Sequence, residues 1–305
     1  LAEKVAWSSD GGSLVIHRIR LASRWEDLKQ LLPAAETERV EALAAAMPKF
    51  LRSAVVLHGD ADRIDQLLAG ISGGENEMLL NAVRLALVEN RAAVEESLTD
   101  APKAWQSLAG KPDEAKGFFL HELAIARRDE EDEWKVTGIF GRSLRGIAAM
   151  QFSPVFPVIA VGRLRGEKGH DVEWIGLDGA SRGTVATGTS AAFSWTPDGR
   201  GLVNLAPVGA GQGPRVRVLR HDLFDAKGEP LPTGHRESDR TQSKELALAI
   251  VPFAPRLAML PGGDVLFAGQ PGSLPMRGGE PVRQPRLYLV ASEGGEGREV
   301  PTEEG

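Results

Sequence analysis

The sequence contains no cysteine and a single tyrosine among its 305 residues. Without thiols, disulfides, thiolate metal sites, iron–sulfur clusters and cysteine nucleophiles are all excluded. No apolar run reaches the ~18 to 20 residues that a membrane-spanning helix needs, because charge, proline or glycine interrupts every candidate, so no membrane span is expected. Basic clusters are missing too. The formal net charge is −6, and binding along a phosphate backbone needs a concentrated basic face, so no nucleic-acid partner is expected. The chain starts at Leu1 without a signal-peptide pattern and is expected to be processed or part of a longer product.

Cofactor signatures are equally sparse. "GAGQGP" at Gly209 to Pro214 lacks the Gly-Lys-Ser/Thr of a phosphate loop and precedes a strand pattern. "ISGGENE" reads as a helix start. His17, His58, His121, His170, His221 and His235 are scattered without a metal-ligand spacing, and His221 beside Asp222 reads as a surface pair on a hairpin. No cofactor is expected. What remains is ordinary globular composition, 42% apolar and 26% charged, long enough to bury a sizeable core.

Two periodicities divide the chain. From Ser23 to about Gly110 the pattern is helical. "SRWE" at Ser23 to Glu26 has the form of a capping box. "TERVEALAAAMPKF" places Val40, Leu43 and Met47 at steps of three and four, with Pro48 as its stop. Val55 to Leu57 then reads as a short buried strand. Leu80, Val83, Leu87, Val94 and Leu98 form one stripe of a helix over Glu77 to Leu98. From about Phe118 the period becomes two and glycine and proline multiply, as in short strands joined by turns. The charge run "RRDEEDE" at Arg127 to Glu133 reads as a solvated hairpin tip.

Within the β part a unit recurs. "AAMQFSPVFPVIAVG" with "DVEWIGLDGASRGTVATG", "AAFSWTPDGRGLVNLA" with "RVRVLRHDLFDAKGEPLPTG", and "LAMLPGGDVLFAG" with "RLYLVASEGGEGREVPTEEG" share one order: apolar strand, Pro or Gly turn, apolar strand, loop, hairpin. Each unit has room for four short strands and cannot bury both faces alone, so neighbours must stack. Trp195, Pro197, Asp198 and Gly199 in "SWTPDGRGLV", and Trp7, Asp10 and Gly11 in "AWSSDGGSLVI", are the residues such a turn needs: an aromatic to pack between units, a preset entry and a tight Asp-Gly reversal.

These segments resemble the TolB-type and WD-like β-propeller repeat over residues 1–20 and about 118–305. The resemblance implies a mainly β fold with a helical segment: propeller-like blades, partial or degenerate, carrying an α-helical insertion or an N-terminal helical domain. The expected division is 1–22 as a strand pair of one blade, 23–112 as the helical part, and 113–305 as further blades. It also implies an extracytoplasmic location, periplasmic or secreted.

The segment "VVLHGDADRID", Val55 to Asp65, resembles the stretch that presents the catalytic aspartate in α/β-hydrolases and prolyl-oligopeptidase-type peptidases. There Asp60 or Asp62 would orient a histidine, His58 being the nearest. No Gly-x-Ser-x-Gly precedes it, and the helical part lacks the alternating strands of a doubly wound sheet. Asp60, Asp62 and Asp65 also trace a fragment of a calcium loop without its glycine and bidentate glutamate. The reading that uses every residue is a strand, a turn at Gly59 and an aspartate capping a helix over Ile64 to Leu68. The expected function is therefore a non-catalytic scaffold that binds other protein subunits, with loops at Arg163 to Asp171 and Arg236 to Glu245 projecting from it. A propeller portion of a peptidase or hydrolase, and a small-ligand or carbohydrate-binding propeller, are the alternatives.

Overall fold

The computed structural model describes residues 2–22, 24–58, 82, 86, 118–165, 169–208, 215–231, 243–252, 255–272 and 286–301, with the side chains of residues 2, 47–58, 118, 119 and 271 set aside. The fold is mainly β, built from antiparallel sheets. Strands β1 (Ala2–Trp7), β2 (Ser13–Ala22), β3 (Phe118–Arg128) and β4 (Trp134–Ser143) form a first four-stranded sheet in that order. β2 and β3 pair from Ser13↔Arg127 to Ala22↔Phe118, so residues 23–117 leave and re-enter the sheet at one end.

The second sheet is β5 (Ile147–Phe152), β6 (Val158–Leu164), β7 (His170–Gly176) and β8 (Ser181–Thr189). β9 (Phe193–Trp195), β10 (Gly201–Pro207), β11 (Arg215–Asp222) and β12 (Ser243–Ile250) form a third run. β13 (Leu257–Met259), β14 (Val265–Pro271), β15 (Arg286–Val290) and β16 (Arg298–Glu299) form a fourth. The last two runs join into one eight-stranded sheet through two pairs, Ala249↔Pro271 and Ile250↔Gln270.

The four runs stack face to face in chain order. One apolar cluster joins Val15, Leu123 and Phe140 of the first sheet to Phe152, Ile159 and Ile175 of the second. A second cluster joins Val158, Ala160 and Trp174 to Trp195, Leu202 and Phe224. A third joins Val203, Leu205 and Val218 to Val265, Phe267 and Val290. First strands are neighbours throughout: β1 lies beside β5, β5 beside β9, and β9 beside β13.

Each run opens with a turn closed by one backbone bond, the fourth being one residue shorter: Ser8 N–H to Ser13 O (2.9 Å), Ser153 N–H to Val158 O (3.0 Å), Thr196 N–H to Gly201 O (2.9 Å) and Leu260 N–H to Asp264 O (2.8 Å). Two of them share their side-chain chemistry. Ser8 Oγ donates to Asp10 Oδ1 (2.6 Å), which also accepts Gly12 N–H (2.9 Å). Thr196 Oγ1 donates to Asp198 Oδ1 (2.6 Å), which also accepts Arg200 N–H (3.1 Å). Pro197 lies between these two partners. Gly11 (φ 69°) and Gly199 (φ 67°) take the left-handed conformation that a Cβ strains.

A methyl group at Gly11 would meet nothing, whereas at Gly199 it would lie 2.7 Å from Ser153 Oγ and 3.0 Å from Val155 Cβ. Gly11→Ala is therefore expected to cost about 1 kcal/mol, from strain alone. Gly199→Ala adds a clash and should cost about 2 kcal/mol. Urea unfolding of the two variants checks the order, and equal losses would contradict it.

Several expectations in the helical part are corrected. Helix α1 (Trp25–Lys29) is N-capped by Arg24, which is extended and makes no side-chain cap bond. Helix α2 (Ala34–His58) runs through Pro48 and includes Val55 to Leu57, which are helical. A short apolar run does not specify strand when helix-forming sequence precedes it. Val40 is buried, but Leu43 is exposed. Ala82 and Ala86 are helical and buried. The rest of Glu77 to Leu98, with Gly209 to Pro214, lies outside the described residues.

The β part needs two corrections. The fourth strand of the third run is Ser243–Ile250, not the hairpin at Leu223 to Gly234, which holds only an isolated Phe224↔Pro230 bridge within the described residues. Arg163 and Leu164 end β6, and His170 and Asp171 begin β7, so both ends of the expected projecting loop are sheet.

Candidate interaction surface

The turn-closing bonds make Trp7, Phe152, Trp195 and Met259 equivalent positions, each one residue before its turn. In a strand, alternate side chains share a face, and at these positions the face points to the preceding sheet. Phe152 is buried against the first sheet and Trp195 against the second, and Met259 packs on the third. The Trp195 indole N–H donates to Gln151 O (2.9 Å), and its backbone N–H donates to Gln151 Oε1 (3.3 Å). Trp7 has no preceding sheet among the described residues and is 56% exposed.

Trp7 shares its face with Val5, Leu14, Ile16, Ala124, Ala126, Val136 and Ile139, as the cross-strand registers require. Val5 is 51% and Val136 53% exposed. Above small Ala126, the Trp7 and Trp134 rings meet edge to face at 5.3 Å, and the Arg128 guanidinium sits 5.3 Å from the Trp134 ring. At the opposite end Glu122 is fully buried, with Arg18 at 3.5 Å, Arg20 at 3.7 Å and Arg142 at 3.6 Å, and neither carboxylate oxygen makes a hydrogen bond. An exposed apolar and aromatic face bounded by charge is the form of a protein-binding surface. Beside Trp7, a cavity of about 330 Å³ opens between the first two sheets, lined by Trp7, Ser9, Met150, Gln151 and Pro154 among others.

Two buried polar clusters lie inside the stack. On the inner face of the first sheet, His17 Nε2 and His121 Nδ1 are 2.9 Å apart, and His17 Nδ1 is 3.7 Å from Glu3 Oε2. A proton on each Nδ1 serves both contacts: His121 donates to His17, and His17 points its own N–H at the carboxylate. Burial first, then the adjacent His17, pushes His121 down to about 4. In the third run, His221 Nε2 donates to Asn204 Oδ1 (2.8 Å), so its Nδ1 accepts from Ser243 Oγ (2.9 Å). His221 is buried, and burial pushes it down to about 4, so the expected surface pair with Asp222 is corrected.

The order hydroxyl, imidazole, amide matches that of a nucleophile, base and orienting group. Here it runs across three adjacent strands on the face packed against the second sheet, and none of the three residues lines the cavity beside Trp7. It fastens three strands; Asn204 Nδ2 is left without a partner.

Of the residues singled out in sequence, Trp195 and Trp7 occupy equivalent positions on different faces of cover, and Asp10, Gly11, Pro197, Asp198 and Gly199 lie in the two matching turns. Asp60, Asp62, Asp65 and the His58 side chain lie outside the described residues. Asp129, Glu131 and Glu133 converge at the β3–β4 tip. There Asp129 accepts the N–H groups of Glu131 and Glu133 (2.9 Å each) and pairs with Lys135, which holds its carboxyl below the usual range, so the cluster builds its own turn. Sequence reading missed Trp134 and Val136, whose alternation in "WKVTGIF" was the available signal, Ile139, which a register shift brings to the same face, and the His17–His121 contact, which exists only once β2 pairs with β3.

Among solved structures, the chain is similar to TolB from Acinetobacter baumannii, with 18% identity and a TM-score of 0.38 over 67% of this chain and 47% of that one. The chain thus spans about half the length of that structure. No family model and no curated protein matches it.

Proposed function

We propose that the chain is a propeller-type, non-catalytic scaffold that binds other protein subunits, and that the outer face of the β1–β4 sheet is its docking surface. One observation carries the reading: Trp7 occupies the position at which Phe152, Trp195 and Met259 are covered by a preceding sheet, yet it is exposed. Four stacked four-stranded runs with neighbouring first strands support the propeller-type arrangement. The polar clusters add no chemistry to this surface. Both are enclosed between sheets.

Because Trp7 is 56% exposed and its ring meets Trp134 edge to face, Trp7→Lys is expected to cost only about 1 kcal/mol of unfolding free energy. Binding should respond differently. A photo-crosslinking side chain at position 5 or 136 in the native host should trap specific protein adducts that Trp7→Lys abolishes, while one at exposed Lys227 should not. Adducts from position 5 no different from those at 227 would refute the surface, as would a large stability loss in Trp7→Lys.

A further inference from the structure

We infer that the Trp7 face is covered by the β13–β16 sheet of a second copy of this chain, joined head to tail. The inference rests on the reading of that face as a docking surface and names its occupant. The described stack has two uncovered ends. One is the Trp7 face, which looks toward a preceding sheet. The other is the far face of β13–β16, where Leu266, Ala268 and Leu287 alternate with the core-facing Val265, Phe267 and Tyr288; Ala258 and Leu287 are exposed there, while Leu289 on the same face is buried. The first face fits only a surface that follows another sheet, and the second is such a surface.

The junction between the second and third runs shows what the contact needs. Trp195 donates its indole N–H to the carbonyl of Gln151 on the preceding first strand. The shared turn places Ala258 where Gln151 stands in its own run, two residues before the turn-closing N–H of Leu260 rather than Ser153. Trp7 therefore has its acceptor in the backbone carbonyl of Ala258 of the second copy. The same alignment sets Val5 at the place of Phe193, whose ring approaches the Cα of Gly162 so closely that a Cβ there would lie 3.1 Å from it. The residue at the place of Gly162 in the fourth run is Ala268, small enough to admit Val5. Such a contact joins two different surfaces, so it propagates into a closed ring if the rotation permits and into an open filament if not.

The absence of cysteine makes the test direct. Val5→Cys and Ala268→Cys chains are prepared separately, each with one thiol, and sedimentation velocity is recorded on the unmodified chain from micromolar to hundreds of micromolar. The expected result is concentration-dependent assembly, weakened at least tenfold by Trp7→Glu and equally by Leu287→Glu, with disulfide-linked dimers in the mixture of the two thiol variants and few in either alone. Crosslinking of Val5→Cys to itself would show the Trp7 face meeting its own kind and overturn the inference. So would a chain that stays monomeric at every concentration. Acrylamide quenching separates the two levels: a monomer in which mutating Trp7 removes strongly quenched emission loses only the second copy, whereas a Trp7 already shielded in the monomer sinks the docking surface itself.

Discussion

Between pH 6.5 and pH 4 the protein is expected to lose about 6 kcal/mol of stability, enough to unfold a domain of ordinary stability near the lower limit. His121 and His221 each fall from 6.5 to about 4 on folding, because burial penalises the charged ring. Above about pH 7.5 both rings are neutral in either state and contribute no slope. As pH falls below 6.5 the unfolded chain takes up protons that the folded chain refuses, so unfolding becomes easier with every step of acidification. The loss levels off below about 4, when the folded rings also charge.

Each ring contributes about 3 kcal/mol over that interval at 1.36 kcal/mol per pH unit. The partners set the direction firmly. A second proton on His221 would turn Nδ1 from an acceptor for Ser243 into a donor, and one on His121 would go to Nε2, charging a buried ring that already donates from Nδ1 to His17, with Lys4 and Arg163 opposing it and only Glu3 favouring it. Urea midpoints followed by tryptophan fluorescence at pH 7.5, 6.5, 5.5 and 4.5 check the expectation. His221→Asn and His121→Asn should each flatten the slope by about half. A midpoint unchanged down to pH 4.5 would mean that water reaches these rings.

The mainly β character and the helical segment were legible because both are statements about local period. Asp10 and Asp198 belong to turns that close through their own side chains within six residues, a range over which sequence carries information. What sequence misread was decided at longer range. Val55 to Leu57 is apolar enough for either state and lies in α2. His221 is buried where Ser243, 22 positions further along the chain, pairs beside it, and no local pattern around His221 announces that. The exposed Trp7 face was half legible. Its alternating Val5 and Trp7 are visible in "VAW", but their exposure depends on which sheets exist to cover them.

Arg163→Ala is expected to cost about 3 to 5 kcal/mol, since it breaks a buried ion pair and leaves a carboxylate behind. Arg163 sits in β6 of the second sheet and is almost wholly buried. Its Nε donates to Glu173 Oε2 (2.8 Å) and its Nη2 to Gly141 O (2.8 Å) at the end of β4, so one guanidinium ties the first sheet to the second. Arg145, on the connection between those sheets, completes the group by donating to Asp171 Oδ2 (2.6 Å) and Glu173 Oε1 (3.2 Å). Removing Arg163 leaves Gly141 O unpaired and Glu173 with Arg145 alone. Glu173→Gln removes less, because the amide oxygen still accepts from one guanidinium, and should cost about 1 to 2 kcal/mol. The double variant Arg163→Ala, Glu173→Gln leaves no unpaired charge at this pair, so it should be more stable than the single losses added together by about 1 to 3 kcal/mol. Additive losses would show that the two side chains do not act as a unit, and a cost below about 1 kcal/mol for Arg163→Ala would show that this guanidinium adds little to the apolar cluster between the sheets. The variant also bears on acid stability. Arg163 is one of the positive charges that hold His121 neutral, so its removal should raise the pKa of His121 in the folded state and shrink that ring's share of the loss between pH 6.5 and 4.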